Sequence, residues 1–251
     1  MKISPCIDTV YKGHCLKEAL TEIKELGYEG FEFWHTDGHD LREMLELKTE
    51  LGLKISNFDA EEISLADPSA RKAFVQSFER AAETAKMLGC GQITVLSGND
   101  TGKARAIQRK SIVDGLTEIA PVAEAMGVTA ILEASNRRVN RPFNFLTSAD
   151  EAFEIIDRVG SGNVKMLYDI YHQQISEGDL LARIIPNIGK IGHFHAAGVP
   201  DRHELDRCEI NYDFLFRKIA EAGYERWVGL EYFPADPPKQ GLLDLKKYLA
   251  L

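Results

Sequence analysis

The sequence lacks several features that would point to particular classes of protein. Its four cysteines are scattered without a Cys-x-x-Cys pair, so we expect reduced thiols rather than a disulfide framework. No apolar run approaches the length of a membrane span, and Met1 leads into an apparent strand rather than a signal peptide. The sequence therefore predicts a cytoplasmic protein with no membrane role.

Positive charge is also scarce. The 251 residues include 30 Lys and Arg against 39 Asp and Glu, which gives a formal net charge of -9. No long Lys/Arg cluster could follow a phosphate backbone, so nucleic acid is not an expected partner. A small-molecule partner is the prediction that remains, and the sequence leaves homo-oligomerisation open.

Hydrophobic periodicity predicts eight alternating strands and helices along the whole chain. Residues 1–251 are therefore expected to form one α/β domain, a single (β/α)8 TIM barrel. A doubly wound open sheet is the alternative, but no Gly-x-Gly-x-x-Gly follows any strand. Pro121 is expected to kink or break its helix. The predicted strands are 2–8, 30–34, 54–58, 92–96, 129–134, 164–170, 191–196 and 227–233, and the helices are 15–26, 40–51, 70–88, 105–126, 148–159, 178–188, 212–222 and 242–249.

Residues 191–204, IGHFHAAGVPDRHE, combine a strand with an unusual concentration of ionisable side chains. His193 and His195 are two residues apart, so a strand would point both imidazoles to the same face, with only one of them at the strand's end. Four ionisable residues then follow from Asp201 to Glu204. A core histidine beside a charged surface turn would explain this segment equally well if it stood alone.

Four residues that could bind a metal follow apolar residues at the ends of the last four predicted strands. They are Glu133, Asp169, His195 and Glu231. Strand ends of a parallel barrel converge on one mouth, where three carboxylates would repel one another unless a cation joined them. Three oxygen ligands and one imidazole suit Mn²⁺, Mg²⁺ or Co²⁺ better than a structural zinc. The sequence thus predicts a divalent-metal site.

The segments LEA, LYDIYH and GHFHAAGVPDRHELDRCEINYDFLFRKIAEAGYERWVGLEY resemble the hydroxypyruvate isomerases of the xylose isomerase-like TIM barrels. The resemblance is strongest over residues 130–233. It implies that the four strand-end residues hold the metal, and that His172 and either Arg202 or His203 meet the substrate. Members of this family often carry glutamine where His195 stands, a departure that bears on the substrate.

The chemistry of such a site follows from its groups. A metal that chelates adjacent carbonyl and hydroxyl oxygens makes the neighbouring C–H bond more acidic, because it stabilises the enediolate. One carboxylate can remove that proton, and a second can return a proton to the neighbouring carbon, which isomerises the substrate. We predict that Glu133 and Glu231 form this pair, and that His172 donates a hydrogen bond to the developing oxyanion.

The loop after Glu133 contains three arginines, Arg137, Arg138 and Arg141, in an otherwise acidic protein. Arginine binds carboxylates through paired N–H groups, so this loop, and Arg137 in particular, is predicted to bind a sugar acid. A solvated surface loop is the alternative. Aromatic residues at or near strand ends are predicted to wall the pocket: Trp34, Phe58 and Tyr171.

Four other functions compete with a hydroxypyruvate-type isomerase. A 2-oxo-tetronate isomerase or a ketose 3-epimerase would use the same site on a longer substrate, although the epimerases usually carry a further glutamate in the segment that is arginine-rich here. Endonuclease IV shares the barrel, but its metal-binding histidines are missing after Phe58 and Leu96. A non-enzymatic barrel remains open in principle, because fold does not fix function.

Overall fold

The computed structural model describes residues 1–250, which form a parallel β-sheet surrounded by helices. The strands are β1 Lys2–Pro5, β2 Gly30–Phe31, β3 Lys54–Ile55, β4 Phe58–Asp59, β5 Gln92–Leu96, β6 Thr129–Glu133, β7 Val164–Asp169, β8 Ile191–Ala196 and β9 Trp227–Leu230. Seven of them are hydrogen-bonded in the order β1-β9-β8-β7-β6-β5-β4, and β2 pairs with β3 in a separate two-stranded sheet.

Backbone hydrogen bonds join the two sheets into a closed ring. Glu32 N donates to Pro5 O at 3.0 Å and Glu32 O accepts from Ile7 N at 2.9 Å, which links β2 to β1. On the other side, β3 pairs with β2 while β4 pairs with β5, so β3 and β4 together serve as the third strand of the barrel. The predicted TIM-barrel fold is confirmed.

Residues 1–250 contain ten α-helices: α1 Ile7–Val10, α2 Leu16–Glu25, α3 Leu41–Leu51, α4 Arg71–Leu88, α5 Arg105–Met126, α6 Ala149–Val159, α7 Ile170–Ser176, α8 Leu180–Ile184, α9 Tyr212–Glu221 and α10 Pro238–Leu245. The ends of several helices follow local sequence signals. The side chain of Asp40 accepts hydrogen bonds from Arg42 N and Glu43 N at the start of α3, and Gly89 ends α4 with a φ of 67°.

The structure departs from the predicted elements at several positions. Pro121 lies inside α5, which continues without interruption to Met126, so the predicted break is absent from this helix. The predicted helix 178–188 consists of α8 and a 3-10 helix, Ile185–Lys190, because Pro186 lacks the N–H that a regular α-helix would need. The first strand ends at Pro5 and is followed directly by the short helix α1.

The interior of the barrel is buried, and polar side chains are concentrated near the strand ends. Strands β5 and β8 are buried along their entire length. Within residues 1–250, no helix combines the length and the apolar character needed to cross a bilayer. The connections that follow the strand ends form the mouth of the barrel, and this mouth contains the candidate site.

Candidate active site

The four strand-end side chains come from consecutive strands of the ring. Glu133 is the last residue of β6, Asp169 is the last residue of β7, and His195 is the next-to-last residue of β8. Glu231 follows β9 directly, and its backbone N donates to Ala196 O at 3.0 Å. All four side chains are buried, with exposed fractions between 1% and 8%. The predicted convergence is therefore present in the structure.

Three of these side chains form a compact group. The Nδ1 atom of His195 lies 3.2 Å from Glu231 Oε2 and 4.0 Å from Asp169 Oδ2. Asp169 and His195 are direct neighbours in the register of β7 and β8, which fixes their spacing. These three residues could hold a metal ion, since their ligand atoms lie within 4.8 Å of one another.

Glu133 and Asp169 form a second group with His172, the residue predicted to meet the substrate. His172 Nε2 lies 3.5 Å from Glu133 Oε1 and 3.7 Å from Asp169 Oδ2. Its other ring nitrogen, Nδ1, is 2.6 Å from the amide nitrogen of Asn136. Asn136 Oδ1 already accepts from Val139 N, so the amide nitrogen must be the donor to His172.

This hydrogen bond assigns the tautomer of His172. Because Nδ1 accepts, a neutral ring carries its proton on Nε2, which faces Glu133 and Asp169. Burial lowers the pKa of His172 to about 4, which keeps the ring neutral near pH 7. In this tautomer the Nε2–H of His172 can donate a hydrogen bond towards Glu133 and Asp169.

Arg202 is held in the mouth by an unusual backbone conformation. Its φ is 59°, in the left-handed region, and two hydrogen bonds fix it: Arg202 N donates to Gly198 O at 2.9 Å, and Phe233 N donates to Arg202 O at 2.8 Å. The guanidinium donates to the Glu231 carboxylate and lies 3.9 Å from Asp169 Oδ2. Tyr171 and Phe233 flank it, at 5.2 and 5.9 Å between the guanidinium carbon and the ring centres.

These side chains open into a cavity of about 450 Å³ at the mouth of the barrel. Trp34 forms part of its wall, and its indole N–H donates to Glu231 Oε1 at 2.6 Å. The cavity combines three carboxylates with two arginines, so it could bind a small molecule that carries both hydroxyl groups and a negative charge. These charged residues are Asp59, Glu133 and Glu231, with Arg141 and Arg202.

The acidic groups perturb one another strongly. Burial, reinforced by Glu231 and opposed by Arg202 and His195, raises the pKa of Asp169 to about 6. Burial also raises the pKa of Glu133. For Glu231 the effect of burial is outweighed by Arg202 and His195, which lower its pKa well below the ordinary value. Buried carboxyl groups whose pKa values are shifted in this way are typical of a functional site.

A divalent cation fits the atoms that the cluster leaves without partners. Among residues 1–250, neither ring nitrogen of the buried His195 forms a hydrogen bond of good geometry. Buried polar groups are rarely left in this state. An imidazole nitrogen beside two carboxylates is a donor set that divalent transition metals accept. Asp169, His195 and Glu231 are therefore able to hold such an ion, and Asp169 also belongs to the neighbouring group that contains Glu133 and His172.

Two of the residues predicted to bind substrate lie away from the cavity. Arg137 is exposed and lies 3.5 Å from Asp100, while Arg141 of the same loop lines the cavity instead. His203 is exposed, and its Nδ1 contacts Phe233 O at 2.6 Å, so Arg202 is the member of that pair which faces the site. Of the predicted aromatic residues, Phe58 is fully buried and stacks on Phe33 in the core.

The sequence analysis did not predict several residues of the site. Asp59 ends β4 and lines the cavity, Asn136 orients His172, and Glu32 contacts both His193 and His195. A signal existed for Glu32, because a charged residue stands in the apolar segment GFEFW. The role of Asn136 depends on how its loop folds, which periodicity does not reveal.

Comparisons with known proteins identify the family of this chain. The family model of the xylose isomerase-like TIM barrel matches residues 20–250. A 2-oxo-tetronate isomerase from Cupriavidus necator is 34% identical, over 97% of this chain and 96% of its own length. The hydroxypyruvate isomerase of Escherichia coli is 30% identical, over 89% of this chain and 90% of its own.

A solved structure also matches almost the entire chain. It is described as an AP endonuclease, family 2, from Brucella melitensis, and it superposes with a TM-score of 0.93 at 27% identity, covering 98% of each chain. The chain therefore belongs to the xylose isomerase-like TIM-barrel family, among relatives named hydroxypyruvate isomerase and 2-oxo-tetronate isomerase, and it is an isomerase.

Proposed function

We propose that this enzyme is a divalent-metal-dependent isomerase of small hydroxy-keto and hydroxy-aldehyde acids. The reaction would interconvert hydroxypyruvate and 2-hydroxy-3-oxopropanoate. A C–H proton moves from one carbon to its neighbour, and a hydroxyl proton moves between their oxygens, so the reaction needs no oxidant or reductant. The names of the two curated relatives support this substrate class.

The observation that carries the proposal is the placement of the two glutamates. Glu133 on β6 and Glu231 after β9 both line the cavity, and the strands that carry Asp169 and His195 lie between them. A substrate bound in this cavity would lie between the carboxylates of Glu133 and Glu231. One glutamate would remove the proton from the first carbon, and the other would supply a proton to the second.

The remaining residues would hold the substrate in position. A divalent ion bound by Glu133, Asp169, His195 and Glu231 would polarise the carbonyl and hydroxyl oxygens and stabilise negative charge on them. His172 would donate its Nε2–H to a substrate oxygen, as its assigned tautomer allows. Burial of these groups strengthens such electrostatic contacts.

The carboxylate of the substrate would lie at the arginine side of the cavity. Arg141 and Arg202 both line it, and a guanidinium binds a carboxylate through two parallel hydrogen bonds. The four-carbon 2-oxo-tetronate offers the same carboxylate and the same reacting carbons. It is the second candidate substrate, favoured by the Cupriavidus necator relative.

A nuclease activity is not proposed, although one matched structure bears an endonuclease name. The third and fourth strands of the barrel end in Asp59 and Leu96, and Ser97 follows the latter, so histidines do not stand at these positions. A net charge of -9 also opposes contact with a phosphate backbone.

Metal removal and restoration test the proposal directly. Protein treated with a chelator should lose isomerisation of hydroxypyruvate, and Mn²⁺, Mg²⁺ or Co²⁺ should restore it. Elemental analysis of the active protein should find about one divalent ion per chain, as one such site requires. Full activity in a metal-free sample would contradict the proposal, and activity on 2-oxo-tetronate alone would shift the assignment to the longer substrate.

A further inference from the structure

Below the strand-end residues, one buried carboxylate contacts two histidines inside the barrel. Glu32, which follows β2, is 1% exposed. Its Oε2 lies 2.9 Å from His193 Nε2, and its Oε1 lies 3.2 Å from His195 Nε2. The two imidazoles pack edge to face, with ring centres 5.1 Å apart. The proposed reaction does not use Glu32, so its burial at this place needs another explanation.

The direction of the hydrogen bonds can be assigned from the end of the network farthest from the mouth. The side-chain nitrogen of Gln92 donates to Gly192 O at 2.6 Å, because a carbonyl can only accept. Gln92 Oε1 therefore faces His193 Nδ1, at 2.9 Å, and His193 must donate there. The other nitrogen, Nε2, lies 2.9 Å from Glu32 Oε2, so a second proton lies between these two atoms, on His193 Nε2 or on the carboxyl group, and Glu32 Oε1 carries none.

The same carboxylate oxygen has further donors, which leaves the other oxygen for His195. The hydroxyl oxygens of Ser56 and Ser4 lie 3.3 and 3.5 Å from Glu32 Oε2 and 2.8 Å from each other, so one hydroxyl donates to the other and the second donates to this carboxylate oxygen. Within the described chain, Glu32 Oε1 is buried and forms no hydrogen bond of good geometry. His195 Nε2 lies 3.2 Å from Glu32 Oε1 and is also buried without such a hydrogen bond. These two atoms are therefore available to pair with each other.

The barrel leaves space for this carboxylate at a glycine. A Cβ atom on Gly229 would lie 2.2 Å from Glu32 Oε1, which is closer than any non-bonded contact allows. Gly229 is the register partner of His195 on the neighbouring strand. Any larger side chain at residue 229 would push Glu32 away from His195.

We infer that Glu32 is a positioning residue that holds His195 as the Nε2–H tautomer and so leaves Nδ1 free to bind the ion. The carboxylate accepts at Oε1, which places the proton on Nε2. The unprotonated Nδ1 then faces Glu231 Oε2 at 3.2 Å and Asp169 Oδ2 at 4.0 Å. A histidine ligand needs such an outer partner to fix its ring and its protonation. This inference rests on the proposed metal site.

Nitrogen-15 NMR of the parent protein tests the tautomer without any change to Glu32. The spectrum is recorded with Mg²⁺ bound, and again without metal at a pH high enough to make the ring neutral, and the His195→Asn variant identifies the signals. We expect a protonated Nε2 and an unprotonated Nδ1. A proton on Nδ1 would overturn the inference.

Calorimetric titration with Mn²⁺ tests the consequence for metal binding. Glu32→Leu removes the acceptor and should weaken Mn²⁺ binding by ~10- to 100-fold, the usual effect of losing an outer partner. Glu32→Gln keeps an oxygen towards His195 and should stay within a few fold of the parent. Gly229→Ala, which displaces the same carboxylate, should weaken binding in the same direction.

Thr94→Val is the matched control. It removes a buried hydrogen bond to Asn57 elsewhere in the barrel, where the two side chains lie 2.7 Å apart, and it should leave Mn²⁺ affinity unchanged. If Glu32→Leu and Gly229→Ala both bind Mn²⁺ as tightly as the parent, while Asp169→Asn does not, the metal site stands and the inference fails. If the parent itself does not bind a divalent ion, the proposed function fails, and the spectrum of the metal-free protein alone decides the tautomer.

Discussion

Asp169 and His195 are register partners at the ends of β7 and β8, with Asp169 Oδ2 and His195 Nδ1 4.0 Å apart. The pairing of two parallel strands thus sets the spacing of two proposed ligands. Asp169 belongs to both ligand groups of the mouth, one with Glu133 and His172 and one with His195 and Glu231. It therefore connects the two sides of the candidate site.

Asp169→Asn should abolish tight metal binding without unfolding the site. Asp169 Oδ1 accepts from His172 N at 2.9 Å at the start of α7, and asparagine can keep this cap. The charge is lost, however, so Mn²⁺ affinity should fall by more than the ~100-fold upper range seen for outer partners. Calorimetry measures the affinity, and circular dichroism checks the fold. Unchanged Mn²⁺ binding would remove Asp169 from the ligand set.

Arg141→Ala should weaken binding of an acidic substrate specifically. Losing a hydrogen bond to a charged group typically costs about 1.5–3 kcal/mol, so KM for hydroxypyruvate should rise by roughly tenfold or more. Steady-state kinetics should show little change for a neutral ketose. Arg137→Ala is the control, because Arg137 belongs to the same loop but lies away from the cavity, against Asp100. Equal effects of the two variants would argue against carboxylate recognition by Arg141.

Asp59→Asn should stabilise the metal-free protein, and more so as the pH rises. Burial, with added repulsion from Glu133 and Glu231, raises the pKa of Asp59 well above its ordinary value. A raised carboxyl pKa means that the folded state loses stability as the pH increases above the unfolded-state pKa. The gain from asparagine should therefore be absent in acid and on the order of 1 kcal/mol near neutrality, a common size for stabilising substitutions.

Thermal melts in chelator at several pH values measure this effect, and Asp67→Asn provides a control of opposite sign. The bond to Lys103 lowers the pKa of Asp67 to about 2, so its contribution to stability is present above the unfolded-state pKa and is lost in acid. Removing that charge should lower the melting temperature at neutral pH. A pH-independent effect of Asp59→Asn would contradict the account of its environment.

Much of the fold could be predicted because its signals are local. The strands β5 and β8 were predicted at their observed bounds, since short apolar runs between glycines and polar residues favour buried strands. The last residues of α3, α4, α5 and α6 were also predicted correctly, and each of these helices ends at a glycine in the left-handed conformation. Once the barrel was predicted, its parallel strands placed the four candidate ligands at one mouth.

Other features of the fold and the site depend on long-range contacts, which local sequence patterns do not reveal. Arg137 and Arg141 look alike in the sequence, but the loop that carries them is fixed by distant partners such as Gly98 O, which accepts from Phe145 N at 2.9 Å. Only that folding brings Arg141 to the cavity. The division of the third barrel strand between β3 and β4 likewise reflects pairing with different neighbours rather than a local signal.

Solvent-deuterium exchange with Glu133→Gln and Glu231→Gln tests the two-glutamate reaction most directly. Glutamine keeps an oxygen that can coordinate but cannot act as a base, so each variant should lose at least ~100-fold in kcat, the lower range of general acid–base catalysis. Mn²⁺ should remain bound to both variants, as calorimetry can confirm. In deuterium oxide the parent should incorporate solvent deuterium into the product.

The two variants should differ in that exchange, because the variant that retains the abstracting base can still exchange the substrate C–H while the other cannot. Mass spectrometry of recovered substrate and product reads this difference. If both glutamine variants turn over normally, or if the parent isomerises without any incorporation of solvent deuterium, the proton transfer between Glu133 and Glu231 is contradicted, and a hydride shift between the two carbons replaces it.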